Sequence, residues 1–262
     1  MPVHTARMEP LTVAMWQTPY ADGTAPVPSP QAMVQTLERL DAAAAQARAA
    51  GAHLLVTPEM ALTGYHRDPE WLRTVAQPAD GPWAEAVAAI AQRHGLAVVY
   101  GYPQTAPAGQ RPYNAAQAIG PDGLTLAHYR KVRLFGEVDA ERFTAGPVGP
   151  CTFRYRNWCL GLLICYDVEF AESVQALAQA GADAVLVPTA NMPEYDDVQQ
   201  VLLPRYAGEH RVHLVYANAC GAETGVPPGL AYGGWSTVVS PQGQVMAHAG
   251  RGAELLLATL LT

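Results

Sequence analysis

The sequence predicts an α/β fold in which mixed sheets are covered by helices. Apolar, strand-like runs alternate with helix-period segments along most of the 262 residues, and glycine or proline punctuates many of the boundaries. Two triplets, Pro121-Asp122-Gly123 and Pro241-Gln242-Gly243, read as hairpin turns between neighbouring strands. Those hairpins bring in antiparallel strands, which excludes a simple parallel Rossmann-type sheet. The length suits one α/β domain spanning residues 1–262, since no linker, repeat or low-complexity segment divides it.

Taken in order, "LTVAMWQ" (11–17) is a strand. Ser29-Pro30 offers an N-cap with proline at the first helical position, and Met33, Leu37, Leu40 and Ala44 then recur at helical spacing. Gly51 ends that helix, and "AHLLVTPE" (52–59) is the second strand. Pro82 opens a helix through "WAEAVAAIAQRH", Gly95 stops it, and "LAVVYG" (96–101) follows as a strand. "NAAQAIG" (114–120) and "LTLAHYRK" (124–131) form the first hairpin. Leu162, Leu163 and Ile164 read as a buried strand that breaks at Cys165. A helix through "FAESVQALAQAG" closes at Gly181, and "ADAVLVPTAN" (182–191) is the next strand. Residues 197–211 read as helical, with Pro204 marking a kink or break. "VHLVYANA" (212–219), "GWSTVVS" (234–240) and "GQVMAHAG" (243–250) supply the last strands.

Half of the residues are hydrophobic and 15% are charged, so the chain can bury a large core. A net charge of −7 argues against nucleic acid and anionic membrane as partners. No segment has the length or character of a membrane span or a signal peptide. The four cysteines are too few and too scattered for a disulfide framework. No CxxC or HExxH occurs, and the eight histidines lack metal-ligand spacing. The expectation is a reduced, cytoplasmic protein without metal or cofactor.

Several strands end in reactive side chains, where ligands bind in open α/β sheets. "HLLVTPEM" ends at Glu59, "LAHYRK" at Lys131, "LLICYD" at Cys165 and "VLVPTAN" at Asn191. Singly, each has a bland reading: a solvated carboxylate, a surface cation, a core thiol, a turn amide. Together, Glu, Lys and Cys are the parts needed to attack a carbonyl. A carboxylate takes the thiol proton, while a fixed ammonium and the N–H of Tyr166 stabilise the oxyanion. The protonated carboxyl group then protonates the leaving amine and later activates water. On this reading, removing Glu59 slows alkylation of Cys165.

"LVTPEMALTGY", "YRKVRLFG" and "LLICYDVEFAE" resemble, in order and separation, the three signature segments of the carbon–nitrogen hydrolase (nitrilase) superfamily. "GADAVLVPTAN" and "VYANACG" extend the resemblance over nearly the whole chain. It implies a four-layer α-β-β-α sandwich, no metal or organic cofactor, and pairing into a homodimer or higher homo-oligomer through helices near the nucleophile. It assigns Glu59 as general base, Lys131 as oxyanion stabiliser and Cys165 as nucleophile. A fourth carboxylate commonly follows the lysine, and "FGEVDAERFTAG" offers Glu137, Asp139 and Glu141. The family pattern, a glutamate four residues before a phenylalanine, falls on Asp139, one methylene shorter than usual.

Tyr166-Asp167 after the nucleophile resembles the amidase branches, whereas true nitrilases usually carry Trp-Glu there. The implied reaction is hydrolysis of a small aliphatic or amino-acid-derived carboxamide to acid and ammonia through a thioester. The alternatives are an N-carbamoyl amide hydrolase, for which Arg205 and Arg211 are the available carboxylate anchors, and a nitrilase. A non-catalytic binding protein of the same fold is disfavoured because Glu59, Lys131 and Cys165 are all present. A thiol redox protein is disfavoured because no second cysteine adjoins Cys165. Tyr65, Tyr166 and Asn191 are the candidate substrate-binding residues, and Trp235 lies near another pocket position of the family. Trp158 reads as strand packing.

Overall fold

The computed structural model describes residues 9–20, 30–223 and 229–261. Its elements in chain order are β1 (Leu11–Gln17), α1 (Pro30–Ala49), β2 (Leu54–Val56), α2 (Pro69–Val75), α3 (Pro82–His94) and β3 (Ala97–Gln104). Next come β4 (Tyr113–Ile119), β5 (Thr125–Arg130), α4 (Gly136–Ala140), β6 (Thr152–Tyr155) and β7 (Trp158–Leu162). A 3₁₀ turn (Cys165–Glu169) leads into α5 (Ala171–Gln179) and β8 (Ala184–Thr189). The chain ends with α6 (Leu203–His210), β9 (His213–Asn218), β10 (Cys220–Glu223), β11 (Leu230–Gly233), β12 (Thr237–Val239), β13 (Val245–His248) and β14 (Glu254–Leu260).

Two six-stranded sheets have the orders β14-β1-β2-β3-β4-β5 and β13-β12-β9-β8-β7-β6. Each has three central parallel strands, β1-β2-β3 in one and β7-β8-β9 in the other, with antiparallel strands outside them. Side-chain alternation then builds the layers. Val13, Met15, Leu54, Val56, Ala97 and Val99 point between the sheets, against Leu160, Leu162, Leu186 and Val215. Their neighbours Ala14, Leu55, Val98 and Tyr100 point outward onto Leu40, Ala44 and Ala47 of α1 and Trp83, Val87 and Ile90 of α3. On the far side of the second sheet, α5 and α6 bury Val174, Leu177, Leu203 and Tyr206. The result is the α-β-β-α order expected from the resemblance. Strands covered on both faces explain why β2, β3, β8 and β9 read as continuous apolar runs.

The boundaries differ from the sequence reading for local reasons. The run 52–59 contains only three strand residues, because Pro58 has no N–H to give the ladder and Thr57 makes the last bond, to Val99 O at 2.9 Å. β7 ends at Leu162, not Ile164, since the Ile164 N–H turns to the Asp167 carboxylate at 3.2 Å. Pro204 lies in the first turn of α6, which is preceded by a wide i→i+5 turn over Val198–Leu202. The helices α2 and α4, the hairpin β10–β11 and the edge strands β6 and β14 were not anticipated. The expected cap Ser29 lies outside the described residues.

Candidate active site

Glu59, Lys131 and Cys165 end three different chain segments and meet at one end of the sandwich. Past Val56 the chain turns through Pro58 to Glu59, whose N–H reaches Thr189 O of the second sheet at 3.3 Å. Met60 then adopts a left-handed conformation, φ 51°. Gly101 of β3 makes room for this turn: a Cβ there would stand 2.4 Å from Met60 N. Lys131 follows β5 directly, and its main chain is fixed by bonds to Asn114 O and from Gly146 N, both 2.8 Å. Cys165 follows β7 at a sharp turn and is itself left-handed, φ 45°. Such a backbone costs on the order of 1–3 kcal/mol in a non-glycine residue and recurs at functional sites.

The side chains of Glu59, Lys131 and Asp139 are fully buried and form a chain of ion pairs. Lys131 Nζ lies 2.8 Å from Glu59 Oε1 and 2.7 Å from Asp139 Oδ2. Asn114 Nδ2 donates to the same Glu59 oxygen at 2.6 Å, and Phe135 N donates to Asp139 Oδ2 at 2.8 Å. Glu59 Oε2 has no hydrogen-bond partner among the described residues. Of the three candidates after the lysine, Asp139 is enclosed on α4, whereas Glu137 and Glu141 are exposed.

The charges act together. Burial raises the Glu59 carboxyl pKa, only partly opposed by the Lys131 charge. Burial disfavours the Lys131 ammonium, but the Asp139 and Glu59 carboxylates outweigh it and hold the lysine well above its usual value. The Cys165 thiol is pushed well up, by burial first and by the Glu59 charge second, while Lys131 and a main-chain bond from Ala190 pull the other way. These effects together favour the neutral thiol form of Cys165.

Tyr65 is buried with its ring face 5.6 Å from Lys131 Nζ. Tyr166 is partly exposed and stands edge-on to Phe135 and Phe170, with centroids 5.3 and 5.0 Å apart. Phe135 also meets Tyr195 at 5.5 Å. Asn191 is buried, and its side-chain amide donates to Tyr195 O at 3.1 Å and Gln199 Oε1 at 3.3 Å. Arg205 pairs with Glu209 along the exposed face of α6, and Arg211 is exposed in the left-handed cap of that helix. Trp158 packs in the core, and Trp235 carries Arg251 over its ring at 4.6 Å. Among the described residues, no group of His, Cys, Asp or Glu is placed to hold a metal ion, and no helix is long and apolar enough to cross a membrane.

Sequence reasoning missed the residues that hold this constellation. Asn114 reads as an ordinary strand residue, yet its side chain holds Glu59 and its carbonyl holds Lys131. Tyr20 donates to Glu59 O at 2.6 Å. Glu223, also buried, accepts from His66 N at 2.9 Å and Tyr232 OH at 2.5 Å and pairs with Arg67 at 2.9 Å, bracing the loop beyond Glu59. Gly64 is needed there, since a Cβ would lie 2.3 Å from Glu223 Oε1.

Comparison with known proteins shows the family to which this fold belongs. The carbon-nitrogen hydrolase family model matches residues 12–261, and the chain belongs to that family. It is 41% identical, over 95% of its length and 82% of the relative, to the hydrolase in the pqqF 5' region of Pseudomonas protegens. It is 34% identical to an (R)-stereoselective amidase of a Pseudomonas species, over 76% of this chain and 69% of that one. The crystal structure of an amidase from a Nesterenkonia species superimposes with a TM-score of 0.82 at 32% identity, covering 100% of this chain and 93% of the other. Variants of an amidase from Nesterenkonia sp. AN1, with TM-scores of 0.82, have been seen with butyramide bound, and with the acetamide moiety of fluoroacetamide added covalently at the active-site cysteine.

Proposed function

We propose that the protein is a cysteine amidase that hydrolyses a small primary carboxamide to the acid and ammonia through a thioester on Cys165. One observation carries this reading: Glu59 Oε2 is a fully buried carboxylate oxygen without a hydrogen-bond partner among the described residues, in a cluster whose charges act directly on Cys165. A buried acceptor left open is costly unless something fills it. The thiol proton fills it first, and an N–H of the substrate fills it next.

In this mechanism Cys165 Sγ forms a bond to the amide carbon as its proton passes to Glu59. The oxygen that becomes negative is held by the Lys131 ammonium and the Tyr166 N–H. Glu59 returns the proton to nitrogen, the C–N bond breaks and ammonia leaves. Water, deprotonated by Glu59, then cleaves the thioester. Asp139 keeps Lys131 charged and aimed, since two carboxylates flank one ammonium. Tyr65, whose ring lies against Lys131, and Tyr166, beside Cys165, are the proposed substrate-contacting aromatics. Asn191 shapes the pocket through the 191–195 turn, because its side chain is bonded within that turn. The protein is further proposed to act without a cofactor, as a cytoplasmic homodimer; the family resemblance supports the pairing, and sedimentation tests it.

The test is ammonia release from a panel of small aliphatic and amino-acid amides, with the matching nitriles and carbamoyl amino acids. Primary amides should turn over far faster than nitriles, and intact-mass spectra during turnover should show an acyl adduct that Cys165→Ala lacks. Comparable rates on both series, or turnover by the alanine variant, would overturn the reading.

A further inference from the structure

Lys131 and Cys165 belong to different sheets. Between the sheets lie apolar side chains, whose contacts are non-directional and do not by themselves set a distance to a few tenths of an ångström. The oxyanion donor and the nucleophile nevertheless need a fixed separation, because the negative oxygen forms one bond length from the carbon that sulfur attacks. A directional link is required, and one buried side chain supplies it.

Asp167 is 1% exposed and lies two residues beyond the nucleophile. One carboxylate oxygen, Oδ1, accepts from Val132 N at 3.2 Å and Arg133 N at 2.7 Å, the two amides directly after Lys131. The other, Oδ2, accepts from Ile164 N at 3.2 Å, the amide directly before Cys165. Oδ2 also accepts from the Tyr129 hydroxyl at 3.0 Å, two residues before Lys131. Asp167 N donates in turn to Ile164 O at 3.0 Å, closing the strained turn that carries the nucleophile. All four partners of the carboxylate are donors, so the group is used as an anion with both oxygens filled. The base, by comparison, reaches the second sheet through a main-chain bond of 3.3 Å, Glu59 N to Thr189 O.

We propose that Asp167 is a positioning residue, a strut that sets the gap between the Lys131 ammonium and the Cys165 sulfur by gripping the chain on both sides of each. It touches no reacting atom. Its effect on catalysis passes through Lys131: with the strut cut, the lysine segment drifts from the thiol turn and the oxyanion loses its donor. Misplacement by about 1 Å can cost on the order of a hundredfold in rate. Asp167→Asn cuts it cleanly, since the amide offers one acceptor oxygen and turns a donor toward backbone N–H groups that are donors themselves.

This inference rests on the proposed roles of Lys131 and Cys165, so its test is a double-mutant cycle on a reaction that needs both and no amide. The readout is the rate at which p-nitrophenyl acetate acylates Cys165, followed by nitrophenolate release. The four proteins are the wild type, Asp167→Asn, Lys131→Gln and the double variant, each first checked for folding by circular dichroism and thermal melt. In the wild-type background Asp167→Asn should slow acylation roughly thirtyfold or more, and in the Lys131→Gln background less than about threefold. A residue that merely holds the fold together would lower both backgrounds by the same factor. Equal factors overturn the proposal, and so does a loss below about threefold in the wild-type background. If Asp167→Asn does not fold, Tyr129→Phe replaces it, removing one of the four bonds and nothing else. Its loss should be about fivefold with Lys131 present and absent without it, and equal losses again overturn the strut. The expected unequal factors in acylation, with no amide turned over by the wild type, would refute the amidase reading and leave the strut standing.

Discussion

The first sheet contributes Glu59 and Lys131, and the second contributes Cys165; the two sides of the site are built on opposite principles. On the first side every charge is partnered: Glu59, Lys131 and Asp139 are fully buried, and bonds of 2.6–2.8 Å tie them to one another and to Asn114. On the second side a lone thiol sits on a left-handed turn, 8% exposed, and its pKa is pushed upward. The acid–lysine side is a preorganised electrostatic cradle whose arrangement need not change as the oxyanion forms. The cysteine side is a buried thiol held on a left-handed turn. Under the proposed mechanism, the difference means that the thiol is activated during attack, by transfer of its proton to the cradle.

The sharpest way to break the comparison separates turnover from alkylation. Cys165→Ala should abolish turnover with little change in melting temperature. Glu59→Gln should cut amide turnover by on the order of a thousandfold, because no group is left to protonate the leaving nitrogen or activate water. Iodoacetamide labelling of Cys165 should survive in this variant, or even quicken. The sequence alone suggests that labelling slows. We expect the opposite sign, because the Glu59 charge raises the thiol pKa and its removal leaves the cysteine beside Lys131. Labelling that fell in step with turnover would restore the simpler picture of a thiolate formed at rest by Glu59.

The legibility of the molecule follows the same division. Glu59, Lys131 and Cys165 stand out in the sequence because each interrupts the end of an apolar run with reactive chemistry, and because their segments resemble a family signature. The layers were legible from apolar runs of strand length alternating with helical periods. The supports were not. Asn114 and Tyr20 act through partners 55 and 39 residues away, and Glu223 through one 157 residues away. No local pattern marks such contacts. Asp167 was read only as a marker of the amidase branch, because its grip on Val132 and Arg133 exists only once the sheets are stacked. β14 was missed for a different reason. "ELLLATL" is an apolar run with no turn signal of its own, and only its pairing along the whole of β1 makes it a strand.

The cradle itself can be tested next. Lys131→Gln removes the oxyanion donor and should lower turnover about a hundredfold or more, with a smaller effect on KM. It also leaves Glu59 and Asp139 buried without a counter-ion, and losing one partner of such a cluster typically costs about 3–5 kcal/mol. A clear drop in melting temperature is therefore expected with this variant. Asp139→Asn should lower turnover at least about tenfold, equivalent to about 1.4 kcal/mol of barrier. Glu137→Gln and Glu141→Gln, exposed on the same segment, should stay within about threefold. A large loss in either exposed variant, with none at Asp139, would move the fourth carboxylate elsewhere.

The smallest effect belongs to the cysteine side. Glu169 ends the turn that begins at Cys165, and its carboxyl is raised from 4.5 to about 7, by burial first and by the Asp197 charge second. The folded protein therefore binds a proton there that the unfolded chain releases between about pH 4.5 and about pH 7. With more protons bound in the folded state, stability falls as pH rises through that window. Glu169→Gln should flatten this part of the melting-temperature profile. The ionised carboxylate also raises the Cys165 thiol pKa, after the larger effects of burial and Glu59. The same variant should accordingly speed iodoacetamide labelling near neutral pH by roughly two- to fivefold. Its turnover should become less dependent on pH around neutrality. Labelling that is unchanged at every pH would show that Glu169 is screened from the sulfur, leaving the charges of the first sheet as the only ones that govern the nucleophile.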